Sequence, residues 1–198
     1  CYSDAMEELG NFATKHNIPV TQTAMGYSTM KKDHSHFLGP IGGLGGKAAN
    51  NFAKQTDLAI AIGTRLGDFT TGSWANFENP DFSLVSLNIT RHDANKHLAQ
   101  AVVGDAKVSL IELSNALGDW KANDDWYKKS RDELKSWNEY VDKESGPTNQ
   151  EVPSYAHAVG AIYRNSDPTD IAVTAAGGLV GEVLQVWRPR ELNTHETE

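Results

Sequence analysis

Apolar positions recur along this chain at helical spacing in some stretches and as unbroken runs in others. In residues 4–16, Met6, Leu9, Phe12 and Ala13 fall on one face at helical spacing, which predicts an amphipathic helix. Ser3 and Asp4 stand at its start, and either side chain can cap it. Asn17 stops the pattern, and Ile18-Pro19-Val20-Thr21 reads as a strand. Residues 48–54 predict a second helix. Leu58-Ala59-Ile60-Ala61-Ile62 is a continuous apolar run ended by Gly63, the pattern of a parallel strand buried on both faces. Leu84-Val85-Ser86-Leu87-Asn88 and Ala101-Val102-Val103 predict two more strands. Val108, Ile111, Leu113 and Leu117 mark a helix with a polar outer side. Strands alternating with helices predict an α/β fold, an open parallel sheet with flanking helices joined by right-handed crossovers.

The pattern changes across residues 120–144. Charges become dense, while Trp126, Tyr127, Leu134, Trp137 and Val141 recur at roughly helical intervals, which predicts one long helix packing its aromatics on something. Ser145-Gly146-Pro147-Thr148-Asn149 reads as a loop and a domain boundary. Residues 155–164 predict a helix, and Asp170-Ile171-Ala172-Val173-Thr174 a strand that runs into Ala175-Ala176-Gly177-Gly178. A strand, a glycine turn and a following helix open a second α/β unit. The expected organisation is a central nucleotide-fold domain over residues 1–120, a helical linker over 121–150, and the truncated start of a second α/β domain over 151–198.

Composition narrows the function classes. Of 198 residues, 39% are hydrophobic and 22% charged, as in ordinary globular proteins. The net charge of −8 disfavours a nucleic-acid partner, because an acidic surface repels phosphates. Cys1 is the sole cysteine, so no internal disulfide forms, which fits a reducing, cytoplasmic setting. No apolar run approaches the roughly 20 residues that span a bilayer, so no membrane partner is expected. The chain does not begin with Met, and it is expected to be an internal piece of a longer protein.

Candidate chemistry is sparse. The run Gly39-Pro40-Ile41-Gly42-Gly43-Leu44-Gly45-Gly46-Lys47 invites a phosphate-loop reading, but Lys47 is followed by Ala48 rather than Ser or Thr. Gly43, Gly45 and Ala48 do match the alanine-ending dinucleotide pattern. Residues 33–38 before them do not read as a buried strand, however, and the next strand ends in Gly63-Thr64 rather than an acid. A tight turn that lets a helix pack closely is the favoured reading. Arg65 and Asp68 follow the Leu58-to-Ile62 run, where ligands of open α/β sheets bind; a structural ion pair between them is favoured over a ligand site. His34, His36, His92, His97, His157 and His195 lack the neighbours a zinc site needs and read as solvated loop histidines. No G-x-S-x-G elbow occurs. The residues by themselves show no catalytic constellation.

Taken together, Gly39-Pro40-Ile41-Gly42, Ala49-Asn50, the stretch from Thr56 to Leu66, Asp68, Thr71-Gly72 and Val103-Gly104-Asp105-Ala106 resemble the central domain of the acetohydroxyacid synthase-like thiamine diphosphate enzymes. Gly67 to Trp74, Ala175 to Glu182 and Trp187 to Leu192 are similar to the inositol-catabolic branch. The resemblance implies a parent enzyme that opens a cyclic 1,2-dione by C–C hydrolysis with thiamine diphosphate and Mg²⁺. It also implies active sites between subunits, in a homodimer or homotetramer. It places Ala176, Gly177, Gly178 and Leu179 against the cofactor and assigns this chain no catalytic residue and no metal ligand. In the family the activating glutamate lies in the preceding domain and the Gly-Asp-Gly metal motif in the following one; Gly67-Asp68, Gly104-Asp105 and Gly118-Asp119 here lack its second glycine. The chain alone is therefore expected to be inactive. Flavin-containing relatives carry a Gly-Met-His-Gly turn and an Asp-bearing strand end. Gly39-Pro40-Ile41-Gly42 and Leu87-Asn88-Ile89-Thr90 stand there instead, so FAD is not expected. The alternatives are a related decarboxylase or carboligase, and a non-catalytic nucleotide-binding or scaffold module.

Overall fold

The computed structural model describes residues 2–197, so Cys1 lies outside the described residues. Helix α1 (Met6–His16) begins after Ala5 and has no side-chain cap. Neither Ser3 nor Asp4 closes it: Asp4 has φ 47° and faces Lys107 at 4.0 Å, which pairs more closely with Glu8 at 3.1 Å. Asn17 ends the helix in the left-handed conformation, with its N–H donating to Ala13 O.

Strands β1 (Val20–Gln22) and β2 (Phe37–Pro40) pair in parallel. All of β2 is buried, which corrects the reading of residues 33–38 as no buried strand. Its apolar signal is only Phe37-Leu38, and Gly39-Pro40 mimics a turn. Proline is tolerated because β2 is an edge strand, where a missing N–H removes no ladder bond. Of the polar run before β2, Lys32, Asp33 and Ser35 are exposed, but His36 is buried, at 5% exposure.

Helix α2 (Lys47–Ala53) follows the glycine turn, and β3 (Leu58–Ile62) follows α2. A short helix α3 (Asp68–Thr71), β4 (Ser83–Asn88), a short α4 (Arg91–Ala94), β5 (Gln100–Val103) and α5 (Ala106–Leu117) complete the alternation. Strands β3, β4 and β5 form one parallel sheet in that order. Strand β3 is thus at an edge, and Leu58 is 50% exposed. That overturns the reading of this run as buried on both faces, because an apolar run does not reveal how many neighbours a strand has. Asp105 starts α5 by accepting from the Val108 N–H at 3.1 Å.

Helix α6 (Asp124–Glu144) is the long helix that the aromatic spacing predicts. Its Trp126 lies on Phe52 of α2, with ring centroids 3.9 Å apart. Helix α7 (Tyr155–Asn165), strand β6 (Ala172–Thr174), helix α8 (Gly178–Val186) and strand β7 (His195–Thr197) follow, with β6 and β7 parallel. One buried cluster unites Ala13, Phe37, Phe52, Leu134 of α6 and Leu184 of α8. The fold is α/β, with parallel strands flanked by helices, as the alternation predicts.

Candidate functional site

The turn from β6 into α8 carries the residues singled out for a cofactor. Strand β6 ends at Thr174, and the chain turns through Ala175 and Ala176 into Gly177, the residue that precedes the helix. Gly177 has φ 139°, a backbone region that residues with a side chain rarely adopt. A Cβ there would meet nothing within 4 Å, so conformation rather than crowding calls for glycine. No side chain caps α8. Its first N–H groups form a positively polarised edge that suits an anionic or polar group. Ala176, Gly177, Gly178 and Leu179 are all exposed. The far side of α8 is anchored, with Val180, Val183, Leu184 and Val186 buried. The result is an open, nearly side-chain-free turn on a fixed helix.

The glycine turn between β2 and α2 has the strand–turn–helix context of a phosphate loop, but its amides are engaged. The Gly42 N–H donates to Asn50 Oδ1, and Asn50 Nδ2 donates back to Gly42 O, both at 2.9 Å. Gly43 donates to Phe69 O at 2.7 Å, Gly45 to Gly42 O at 2.9 Å, and Gly46 to Pro40 O at 2.8 Å. A Cβ on Gly42, whose φ is 117°, would stand 2.2 Å from Phe69 O. The glycines therefore let α3 and α2 close on the turn. The same turn touches α8: a Cβ on Gly181 would lie 3.4 Å from Leu44 Cδ2, and Gln185 Nε2 donates to Leu44 O at 3.5 Å. The structure thus brings the two glycine-bearing regions alongside each other.

Among the described residues no ion pair joins Arg65 to Asp68, contrary to the structural pair favoured from the sequence. Backbone bonds order that loop instead: the Thr70 and Thr71 N–H groups donate to Gly67 O at 2.9 and 3.0 Å. A cleft of about 690 Å³ is lined by Arg91, His92, Asn95, Lys96, Ala101 and Val103, and no sequence-predicted cofactor residue borders it.

The histidines separate into distinct environments. His36 has Asn17 Oδ1 3.3 Å from Nε2 and Ser35 Oγ 2.9 Å from Nδ1, and its ring lies against Tyr127. Burial, then the nearby His34 and Arg131, bring its pKa down to about 4. His195 is also buried, edge-on to Tyr27, and burial brings its pKa down to about 4. Neither is the solvated loop histidine that the sequence suggests. His157 instead completes a capping box with Ser154 at the start of α7. His16, which the sequence reading passed over, is fully buried, with Nδ1 2.7 Å from Trp120 O and Nε2 3.0 Å from Ser114 Oγ. Its position four residues after Phe12, on the apolar face of α1, is the signal for it. Among the described residues, no three His, Cys, Asp or Glu side chains gather as a metal set. No described helix is long and apolar enough to cross a membrane.

Parallel strands, flanking helices and a glycine turn sealed by its own hydrogen bonds define an α/β central domain. The family described as thiamine pyrophosphate enzyme, central domain, matches residues 1–113, and the chain belongs to that family. Over its whole length the chain is also similar to proteins named 3D-(3,5/4)-trihydroxycyclohexane-1,2-dione hydrolase. It is 35% identical to the one from Clostridium tetani, 33% to one from Clostridium perfringens and 32% to one from Bacillus anthracis. Each alignment takes in 100% of this chain and 34% of the relative, so the chain spans about a third of the length of the curated relatives it matches.

Proposed function

We propose that this chain is the central part of a thiamine diphosphate- and Mg²⁺-dependent hydrolase. The reaction is C–C opening of 3D-(3,5/4)-trihydroxycyclohexane-1,2-dione to 5-deoxy-glucuronate, in inositol catabolism. The observation that carries the reading is similarity along the whole chain, at 32% to 35% identity, to hydrolases of that name. The proposal includes the division at residues 120 and 150, a parent homodimer or homotetramer, and a cytoplasmic setting.

Ala176, Gly177, Gly178 and Leu179 are the part of the cofactor wall assigned to this chain. Their fit rests on the open turn, the backbone conformation of Gly177 and the uncapped start of α8. When bound, thiamine diphosphate supplies the carbanion chemistry of C–C cleavage. The residues here would orient it: the small side chains would let it approach backbone, the polarised N–H groups at the start of α8 would suit its polar atoms, and Leu179 would offer an apolar contact. No proton-transferring side chain and no metal ligand are assigned to this chain, which is expected to show no turnover by itself. Mg²⁺, which prefers oxygen ligands, is assigned to another part of the parent. FAD is not included, because the glycine-turn amides are engaged within the chain.

In the full-length protein, turnover of the cyclic dione is expected to require both thiamine diphosphate and Mg²⁺. A Cβ on Gly178 meets Tyr155 at 3.7 Å, an ordinary contact, so Gly178→Val is expected to fold. That variant should need about tenfold more thiamine diphosphate for half-maximal rate, a loss of about 1.4 kcal/mol in binding. Turnover without the cofactor would refute the mechanism. An unchanged requirement in the variant would remove residues 176–179 from the pocket.

A further inference from the structure

We infer that one ordered water, held by Tyr27, Asn138 and Arg188, joins the segment before β2 to α6 and to the end of α8. Tyr27 is 2% exposed, and its Oη is buried with no hydrogen-bond partner among the described residues. Asn138 Oδ1 and Arg188 Nε are buried in the same condition. All three residues line one narrow cavity, together with Phe37, Leu134, Trp137 and Gln185, whose amide nitrogen donates to Leu44 O, and it has room for about one water. A polar atom without a partner in such surroundings is destabilising, and native proteins satisfy nearly all of them.

The three atoms are complementary to water. Arg188 Nε–H only donates, Asn138 Oδ1 only accepts, and Tyr27 Oη does either. A water accepts from Arg188 and Tyr27 and donates to Asn138. Burial raises the Tyr27 pKa, and the charge of Arg188 opposes that rise, which sets the two groups within electrostatic reach. The side chains have little freedom to find other partners. The Arg188 guanidinium is paired with Asp142 of α6, and the Arg188 carbonyl accepts from Tyr163 Oη at 3.0 Å. The Tyr27 ring is held edge-on by His195, centroids 5.2 Å apart. The water therefore links three segments that are distant in sequence and steadies the helix whose start carries residues 176–179. This inference is independent of the proposed activity.

The test is a crystal structure of this chain at a resolution that orders water, combined with a double-mutant cycle. One peak within hydrogen-bond distance of Tyr27 Oη, Asn138 Oδ1 and Arg188 Nε is expected in the wild type, displaced or absent in Tyr27→Phe. In urea unfolding, Tyr27→Phe and Asn138→Ala should each lower the folding constant, and the second should cost at least about threefold less once the first is present. Direct contact between Tyr27 Oη and either other atom, with no density between them, overturns the inference, as do additive effects. Should Asn138→Ala fail to fold, the wild-type density decides alone.

Discussion

Two buried imidazoles shape the response of this protein to acid. His36 and His195 both have pKa values brought down to about 4, from an ordinary 6.5. The unfolded chain takes up these protons near pH 6.5, while the folded chain resists until about pH 4. Between those values the unfolded state binds more protons, so stability rises with pH there. The contribution is full above pH 6.5 and is lost progressively as pH falls toward 4. Urea midpoints at pH 7.5 and pH 5 should therefore differ, and His36→Gln should narrow the difference. A variant with the same pH dependence as the wild type would remove His36 as a source. The environment of His36 was hidden in sequence because Lys31, Lys32 and Asp33 precede it and read as solvent. Its burial comes from Asn17 and from Tyr127, a residue of α6.

At the scale of elements, α6 shows what makes a helix legible. Trp126, Leu134, Trp137 and Val141 keep helical phase within the 21-residue helix, and most of its charged positions are exposed, while Arg131 turns inward and donates to Phe37 O. Asn123 opens it by accepting from the Asp125 N–H at 2.7 Å. Asn123→Ala should cost about 1 kcal/mol, the usual worth of such a cap. Chemical denaturation reads this, and an unchanged midpoint would show that the cap contributes nothing. Strand β2 was illegible for the opposite reason. Four residues ending in Gly39-Pro40 carry almost no periodicity, and the strand exists because β1 pairs with it and Leu134 and Leu184 lie in the same core cluster as Phe37 and Leu38. For β3 the type was legible and the surroundings were not, since an apolar run reads alike at an edge and in the centre of a sheet.

For the whole molecule, the cluster of Ala13, Phe37, Phe52, Leu134 and Leu184 draws on all three segments into which the sequence divides. The chain is therefore expected to unfold in a single transition. Leu134→Ala should lower its stability by about 2–5 kcal/mol without splitting it. Two separate transitions, seen by calorimetry, would show that the segments fold independently. The sequence by itself determined the alternation of helix and strand, the α/β class, and the family to which the chain belongs. These rest on local periodicity and on motifs, which are properties of neighbours along the chain. The turn through Ala175, Ala176 and Gly177 was legible in the same way, as small residues between a strand and a helix. Only the tertiary structure decided that β3 lies at an edge, that His16, His36 and His195 are buried, and that the amides of the glycine turn are consumed by Asn50 and Phe69. Burial and hydrogen-bond partners depend on which residues meet across the fold, and no local pattern carries that information.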